Sequence, residues 1–223
     1  MPLSFDFKYE ELLEYQGINP KPSDFDAYWA AAIKELDSID PDVKMLPSSF
    51  IPPTFGGKAL VECFDLYFTG LGGARIYSKL LKPVSQVKKG PALLLFHGYT
   101  MDSGDWNSKL GMAASGLTIA AMDCRGQGGL SEDLGLVRGN THHGHIIRGL
   151  SDALNGHPEK FYYRSVFMDT LRLARIVMAM DSVDEKRVGV SGWSQGGALS
   201  VACAALEAAR SASRSGLPLS LRL

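Results

Sequence analysis

Apolar residues recur at three- and four-residue steps through Phe25, Tyr28, Trp29, Ala32, Ile33 and Leu36. This spacing predicts an amphipathic helix between Pro20 and Asp40 whose apolar face is meant for docking. Ser23 is placed to cap it, with Asp26 three residues on in a capping-box position. Pro41, Pro47, Pro52 and Pro53 then predict an extended, helix-free connection, because proline lacks an amide donor and biases its predecessor away from helix. The runs Ala59 to Phe68 and Ala74 to Lys82, divided by the glycine-rich Thr69 to Gly73, read as a hairpin. From Ala92 to Phe96 the apolar run is unbroken, the pattern of a strand covered on both faces, and Leu117 to Asp123 and Arg187 to Ser191 share that character. Between these two, Phe161 to Met180 carries a helical stripe of Tyr163, Val166, Phe167, Leu171, Ala174, Val177 and Met178. Strands that alternate with helices imply an α/β fold with a mostly parallel sheet flanked by helices.

Composition narrows the function classes without naming one. The 223 residues match the length of one domain, and 45% hydrophobic with 21% charged content excludes a disordered or low-complexity chain. With 23 Lys+Arg against 24 Asp+Glu the net charge is -1, so no field favours nucleic acid or an anionic membrane, and a small neutral substrate fits better. No apolar stretch approaches the roughly 20 residues that span a bilayer. Met1 to Gln16 lacks the basic and apolar regions of a secretory signal, which makes the cytoplasm the expected address. Cys63, Cys124 and Cys203 are scattered through apolar runs and read as core thiols. There is no internal repeat; only the stretch from Glu207 to Gly216 loses the rhythm of what precedes it.

Chemistry enters at Gly192-Trp193-Ser194-Gln195-Gly196, a G-x-S-x-G pattern that follows the short strand Val188 to Val190 and opens the apolar helix Ala198 to Leu206. Strand, tight turn and helix make a nucleophile elbow, in which small residues at 192, 196 and 197 let the chain turn sharply beneath the serine. The serine hydroxyl then stands at a helix N-terminus, where developing negative charge is favoured. An oxyanion needs a second donor, and the loop His97-Gly98-Tyr99-Thr100 follows a buried strand, so the backbone amides of Tyr99 and Gln195 are the candidates. Asp123 to Gly129 is glycine-rich but lacks the lysine and spacing of a P-loop; Arg125 is expected to bond loop carbonyls beneath the serine turn. His142, His143 and His145 sit in a polar loop with no carboxylate or cysteine partner nearby, which favours a structured loop over a metal site.

With those motifs read, the chain resembles the acetyl xylan esterase / cephalosporin C deacetylase family of carbohydrate esterases. The likeness is carried by Arg125-Gly126-Gln127-Gly128, Ser131-Glu132-Asp133, Gly139-Asn140-Thr141, Gly144 to Leu150, Phe161-Tyr162-Tyr163-Arg164 and Ser194-Gln195-Gly196-Gly197. It implies an α/β-hydrolase that removes acetyl groups from short substituted sugars and from the acetoxymethyl side chain of a cephalosporin, with no cofactor and no metal, in cytoplasmic homo-hexamers. By position it implies Ser194 as nucleophile, Tyr99 and Gln195 as oxyanion donors, and Arg125, Gly126 and Gln127 as structural support. In this fold the acid and histidine of the triad follow the serine. Here all five histidines precede Ser194, and Glu207 is the sole acidic residue after it. The expectation is therefore an α/β-hydrolase that lacks the last strands and the acid and histidine loops, a truncated or frame-shifted product whose nucleophile strand is left at the sheet edge. Residues 1–58 would be an N-terminal helix and arm packing on the core, 59–207 the partial hydrolase domain and 208–223 an atypical tail. Two other readings stay open: another hydrolase of this fold, a peptidase or thioesterase, and a non-catalytic fragment. His97 or His145 could also approach Ser194 as a substitute base.

Overall fold

The computed structural model of the protein describes residues 6–84, 88–133 and 145–213. In chain order its elements are α1 (Tyr9–Glu14), α2 (Phe25–Asp37), β1 (Lys44–Pro47), β2 (Thr54–Phe55), β3 (Lys58–Ala59), β4 (Val61–Thr69), β5 (Arg75–Pro83), β6 (Gly90–Phe96), α3 (Asn107–Ala114), β7 (Thr118–Met122), α4 (Leu150–Leu154), α5 (Tyr162–Met178), β8 (Val183–Gly192) and α6 (Gln195–Ser213). Six strands make one sheet in the order β1-β4-β5-β7-β6-β8. The expected hairpin is β4 with β5, antiparallel from Val61 opposite Pro83 to Thr69 opposite Arg75. Parallel pairing holds across β7, β6 and β8, so the sheet is mixed: the hairpin, β1 and the β5–β7 contact make the other half antiparallel.

β6 carries the architecture. Its Ala92, Leu94 and Phe96 are buried in the larger core with Val166, Leu173 and Val177 of α5 and Leu199 and Cys203 of α6. Leu93 and Leu95 face the opposite layer, where Ala113 of α3 packs with Leu81 and Ile119. This two-sided burial is what an unbroken apolar run calls for. The face of α2 docks as its spacing requires, with Ala32 and Leu36 buried among Leu71, Met168, Leu171 and Leu206. All three cysteines are buried and unpaired with one another.

Several local expectations need correction. Ser23 does not cap α2: Asp24 is its N-cap and makes no side-chain cap bond. The Asp26 carboxylate is drawn instead to Lys21, 2.6 Å away. The proline-rich connection is extended and helix-free as expected, and the structure adds that Lys44 to Pro47 within it pair with the outer side of β4. Pro47 is tolerated there because an edge strand does not need every amide to donate. α6 runs beyond residue 207 to Ser213, and β8 starts four residues before the expected Arg187. The short helices α1, α3 and α4 have no long apolar stripe and went unforeseen. Residues 214–223, and with them most of the anticipated tail, lie outside the described residues.

Candidate active site

β8 ends at Gly192 and α6 starts at Gln195, so Trp193 and Ser194 alone make the turn. Ser194 has φ +54, a left-handed conformation that costs a non-glycine residue roughly 1–2 kcal/mol. The turn is closed by Gly196 N–H to the Trp193 carbonyl at 2.9 Å and Gly197 N–H to the Ser194 carbonyl at 3.0 Å. Its glycines are not equivalent. A Cβ on Gly196 would lie 2.0 Å from the Phe96 carbonyl oxygen, and one on Gly192 would lie 2.4 Å from Gly196, whereas one on Gly197 would meet nothing nearer than 3.6 Å. Backbone therefore touches backbone at 192 and 196. Ser194 is exposed at the C-terminal edge of the sheet and at the start of the 19-residue α6. The N–H of Gln195, at the first helical position, has no intrahelical acceptor.

The loop after β6 lies next to this turn, since Phe96 pairs with Gly192. His97 and Gly98 are buried and Tyr99 is half-buried, which sets the Tyr99 and Gln195 amides at the ends of adjacent parallel strands. Thr100 has φ +65, and its N–H donates to Gln127 Oε1 at 3.1 Å. His97 is not a spare base. Its Nδ1 lies 2.7 Å from the Gly98 carbonyl, and its Nε2 accepts from Cys124 N–H at 2.9 Å. That arrangement needs a neutral ring with its proton on Nδ1. Burial pushes the His97 pKa below its ordinary value, against a smaller opposing effect of the Gly98 bond. His145 is exposed, and His142 and His143 lie outside the described residues.

Beneath the turn, Arg125, Gly126 and Gln127 reach in three directions. Arg125 does bond a loop carbonyl, Leu71 at 2.9 Å, but its main partner is a carboxylate: Nε and Nη2 donate to Asp169 Oδ2 and Oδ1, both at 2.6 Å. The pair is fully buried, and Asp169 Oδ1 also accepts from Leu71 N–H at 3.2 Å. Burial disfavours the Arg125 charge, yet Asp169 outweighs it and holds the guanidinium protonated. Gly126, at φ +66, leaves room for Asp133, whose Cβ would lie 2.8 Å from an added Cβ. Asp133 is ion-paired with Arg148, which stacks 4.8 Å over the Tyr162 ring. Tyr162 in turn donates its hydroxyl to the Arg125 carbonyl at 2.7 Å. Its phenol stays protonated, because burial raises its pKa.

Asp169, the partner of Arg125, is a functional residue that the motifs do not include but the helical stripe of α5 signals. Tyr162, Val166, Asp169 and Leu173 share one helical face, and a carboxylate in an apolar stripe demands a buried cation. Asp133, Arg148 and Tyr162 lie inside the family-like motifs, and the fold gives each of them its partner. Glu207 is unsuited to the triad: it lies about 20 Å along α6 from Ser194 at 1.5 Å per residue, buried beside Arg175 at 3.6 Å. A groove of about 750 Å³ between α2 and α6, bordered by Trp29, Ile33, Phe167 and Leu206, includes none of Tyr99, Ser194 and Gln195.

Comparison with known proteins decides the family. The acetyl xylan esterase family model matches residues 1–219. The chain belongs to the acetyl xylan esterase family. It is similar to acetyl xylan esterase 1 from Thermoanaerobacterium sp., with 53% identity and a TM-score of 0.80 over 92% of this chain and 61% of that one. The acetyl xylan esterase from Paenibacillus sp. R4 is 27% identical with a TM-score of 0.76, over 90% of this chain and 61% of that one. A curated acetyl esterase of Xylanibacter ruminicola is 27% identical over 93% of this chain and 47% of its own length. The chain thus spans about half of the curated relative and 61% of each of these two solved structures. Within the family frame the fold is that of an α/β-hydrolase, and β8 pairs with β6 alone among the described residues, at the end of the sheet.

Proposed function

We propose that these residues supply the nucleophile and the oxyanion hole of a serine carboxylesterase that removes acetyl groups from acetylated xylo-oligosaccharides and from the acetoxymethyl side chain of cephalosporin C. The observation that carries the reading is Ser194, exposed at φ +54 between β8 and α6. Family membership supplies the substrate class. In the proposed reaction Ser194 Oγ bonds to the acetyl carbonyl carbon and gives up its proton to a base. The carbonyl electrons move onto oxygen, where the N–H groups of Tyr99 and Gln195 stabilise the charge. The C–O bond to the sugar or cephem breaks as the leaving oxygen takes the proton, and water repeats the sequence on the acetyl-enzyme. No cofactor is needed.

The base is not among residues 195–223, which contain no histidine, and His97 is committed to backbone. A serine without its base is a weak nucleophile, and a site reduced to its oxyanion hole and binding retains about 10³-fold over water. The 223-residue chain should therefore label slowly at Ser194 with a fluorophosphonate, lose that label in Ser194→Ala, and hydrolyse p-nitrophenyl acetate only in trace. Joining it to the remaining segment of the Thermoanaerobacterium esterase should raise acetyl hydrolysis by about 10³-fold or more. A folded fusion that cleaves peptides or thioesters but neither acetylated xylo-oligosaccharides nor cephalosporin C would overturn the substrate assignment.

A further inference from the structure

We infer that the side chains of Gln127 and Gln195 form a reciprocal amide pair that fixes the two oxyanion donors relative to each other, which makes Gln127 a positioning residue; its catalytic meaning rests on the esterase reading above. Gln127 is 4% and Gln195 8% exposed. A side-chain amide offers two donor hydrogens and two acceptor lone pairs, and both residues use all of them. Gln127 Nε2 donates to Gln195 Oε1 at 2.8 Å and to the Tyr162 hydroxyl at 3.1 Å. Gln127 Oε1 accepts from Gln195 Nε2 and from Thr100 N–H, each at 3.1 Å. Gln195 Oε1 accepts a second bond from the Tyr163 hydroxyl at 3.1 Å, and its Nε2 reaches Cys124 Sγ at 3.5 Å.

The joint links four separate pieces of chain. Thr100 N–H belongs to the peptide that follows Tyr99, so Gln127 grips the oxyanion loop directly. Gln195 is the residue whose own N–H is the second donor, and its side chain is held by the same amide. Tyr162 and Tyr163 anchor the pair to α5. Two neutral amides suit this place because they orient the donors without adding charge; a carboxylate there would repel the developing oxyanion. Left-handed Thr100 also needs an outside restraint, since a β-branched residue does not hold that conformation unaided.

Deuterium exchange on the 223-residue chain tests the joint without turnover. Gln127→Leu should speed exchange of residues 98–101 about tenfold, and Gln195→Leu should do the same. The double variant should be no faster than either single one, with uptake in β4 and β5 unchanged. Gln127→Glu, which keeps the acceptors for Thr100 N–H and Gln195 Nε2 but not the donor to Gln195 Oε1, should leave residues 98–101 protected and loosen residues 195–198. Unchanged exchange at 98–101 in a folded Gln127→Leu chain, or additive effects in the double variant, overturns the joint. Fluorophosphonate labelling of Ser194 should fall about 10- to 100-fold in Gln127→Leu; an equal rate overturns the positioning role. A wild-type chain that takes no label defeats the esterase reading instead, and the exchange data then decide the joint alone.

Discussion

The turn that presents Ser194 and the bracket that supports it are adjacent, yet they are held by different forces. At the turn the contacts are steric: Gly196 lies so close to the Phe96 carbonyl that an added Cβ would sit at 2.0 Å, and only glycine fits. In the bracket the contacts are electrostatic: the Arg125 fork on Asp169, Asp133 with Arg148, and the hydrogen bond from Tyr162 to the Arg125 carbonyl. The turn is made within five consecutive residues, whereas the Arg125–Asp169 bond joins positions 44 apart. A steric device tolerates no added atom, here because the Phe96 carbonyl of β6 lies against the turn. A buried ion pair fails when either partner is lost.

That contrast can be tested by stability, beginning with the largest effect. Asp169→Ala leaves the Arg125 guanidinium buried without its counter-charge and should cost about 3–5 kcal/mol in urea unfolding. Gly196→Ala should cost about 1–3 kcal/mol, because the Phe96 carbonyl must move to admit the methyl group. If Gly196→Ala proves the more damaging of the two, the sheet end is more rigid than the ion pair is strong, and the ranking of the two devices reverses.

His97 is a third kind of support, a neutral ring clamped between backbone groups. Burial lowers its folded-state pKa, so the unfolded chain binds the proton first as pH falls. Its contribution is full above about pH 6.5 and is lost as pH falls toward the lower folded pKa, with a slope of at most about 1.4 kcal/mol per pH unit. Unfolding followed from pH 7 to pH 5 should show a steeper loss in wild type than in His97→Gln; parallel curves would refute the neutral clamp. The smallest effect should be that of Gly197→Ala. Its Cβ would meet only ordinary contact at 3.6 Å, and replacing glycine within a helix should add about 0.5–1 kcal/mol to stability. A melting temperature below wild type would show that glycine at 197 is required as it is at 196.

The elements that could be read from sequence were those whose signal is local and repeated. The stripe of α5, the two-sided run of β6, the β4–β5 hairpin and the G-x-S-x-G turn each carry their evidence within a dozen or so residues. β1 lies within a stretch that reads only as extended, because its pairing depends on β4 and not on its own residues. The cap of α2 was misplaced because Asp26 finds Lys21 rather than the helix start. Gly197 looked equivalent to Gly196 until the neighbouring Phe96 carbonyl distinguished them.

The order of residues alone determined the G-x-S-x-G turn, the candidate oxyanion loop and the lack of a histidine among residues 195–223. These are properties of neighbours along the chain, where backbone sterics and spacing act over a few bonds. Tertiary structure alone decided that His97 is spent on backbone, that Arg125 answers Asp169, and that Gln127 joins Thr100 to Gln195. Each of those depends on which polar groups burial brings together, because a buried donor or charge must find its partner wherever the fold delivers one.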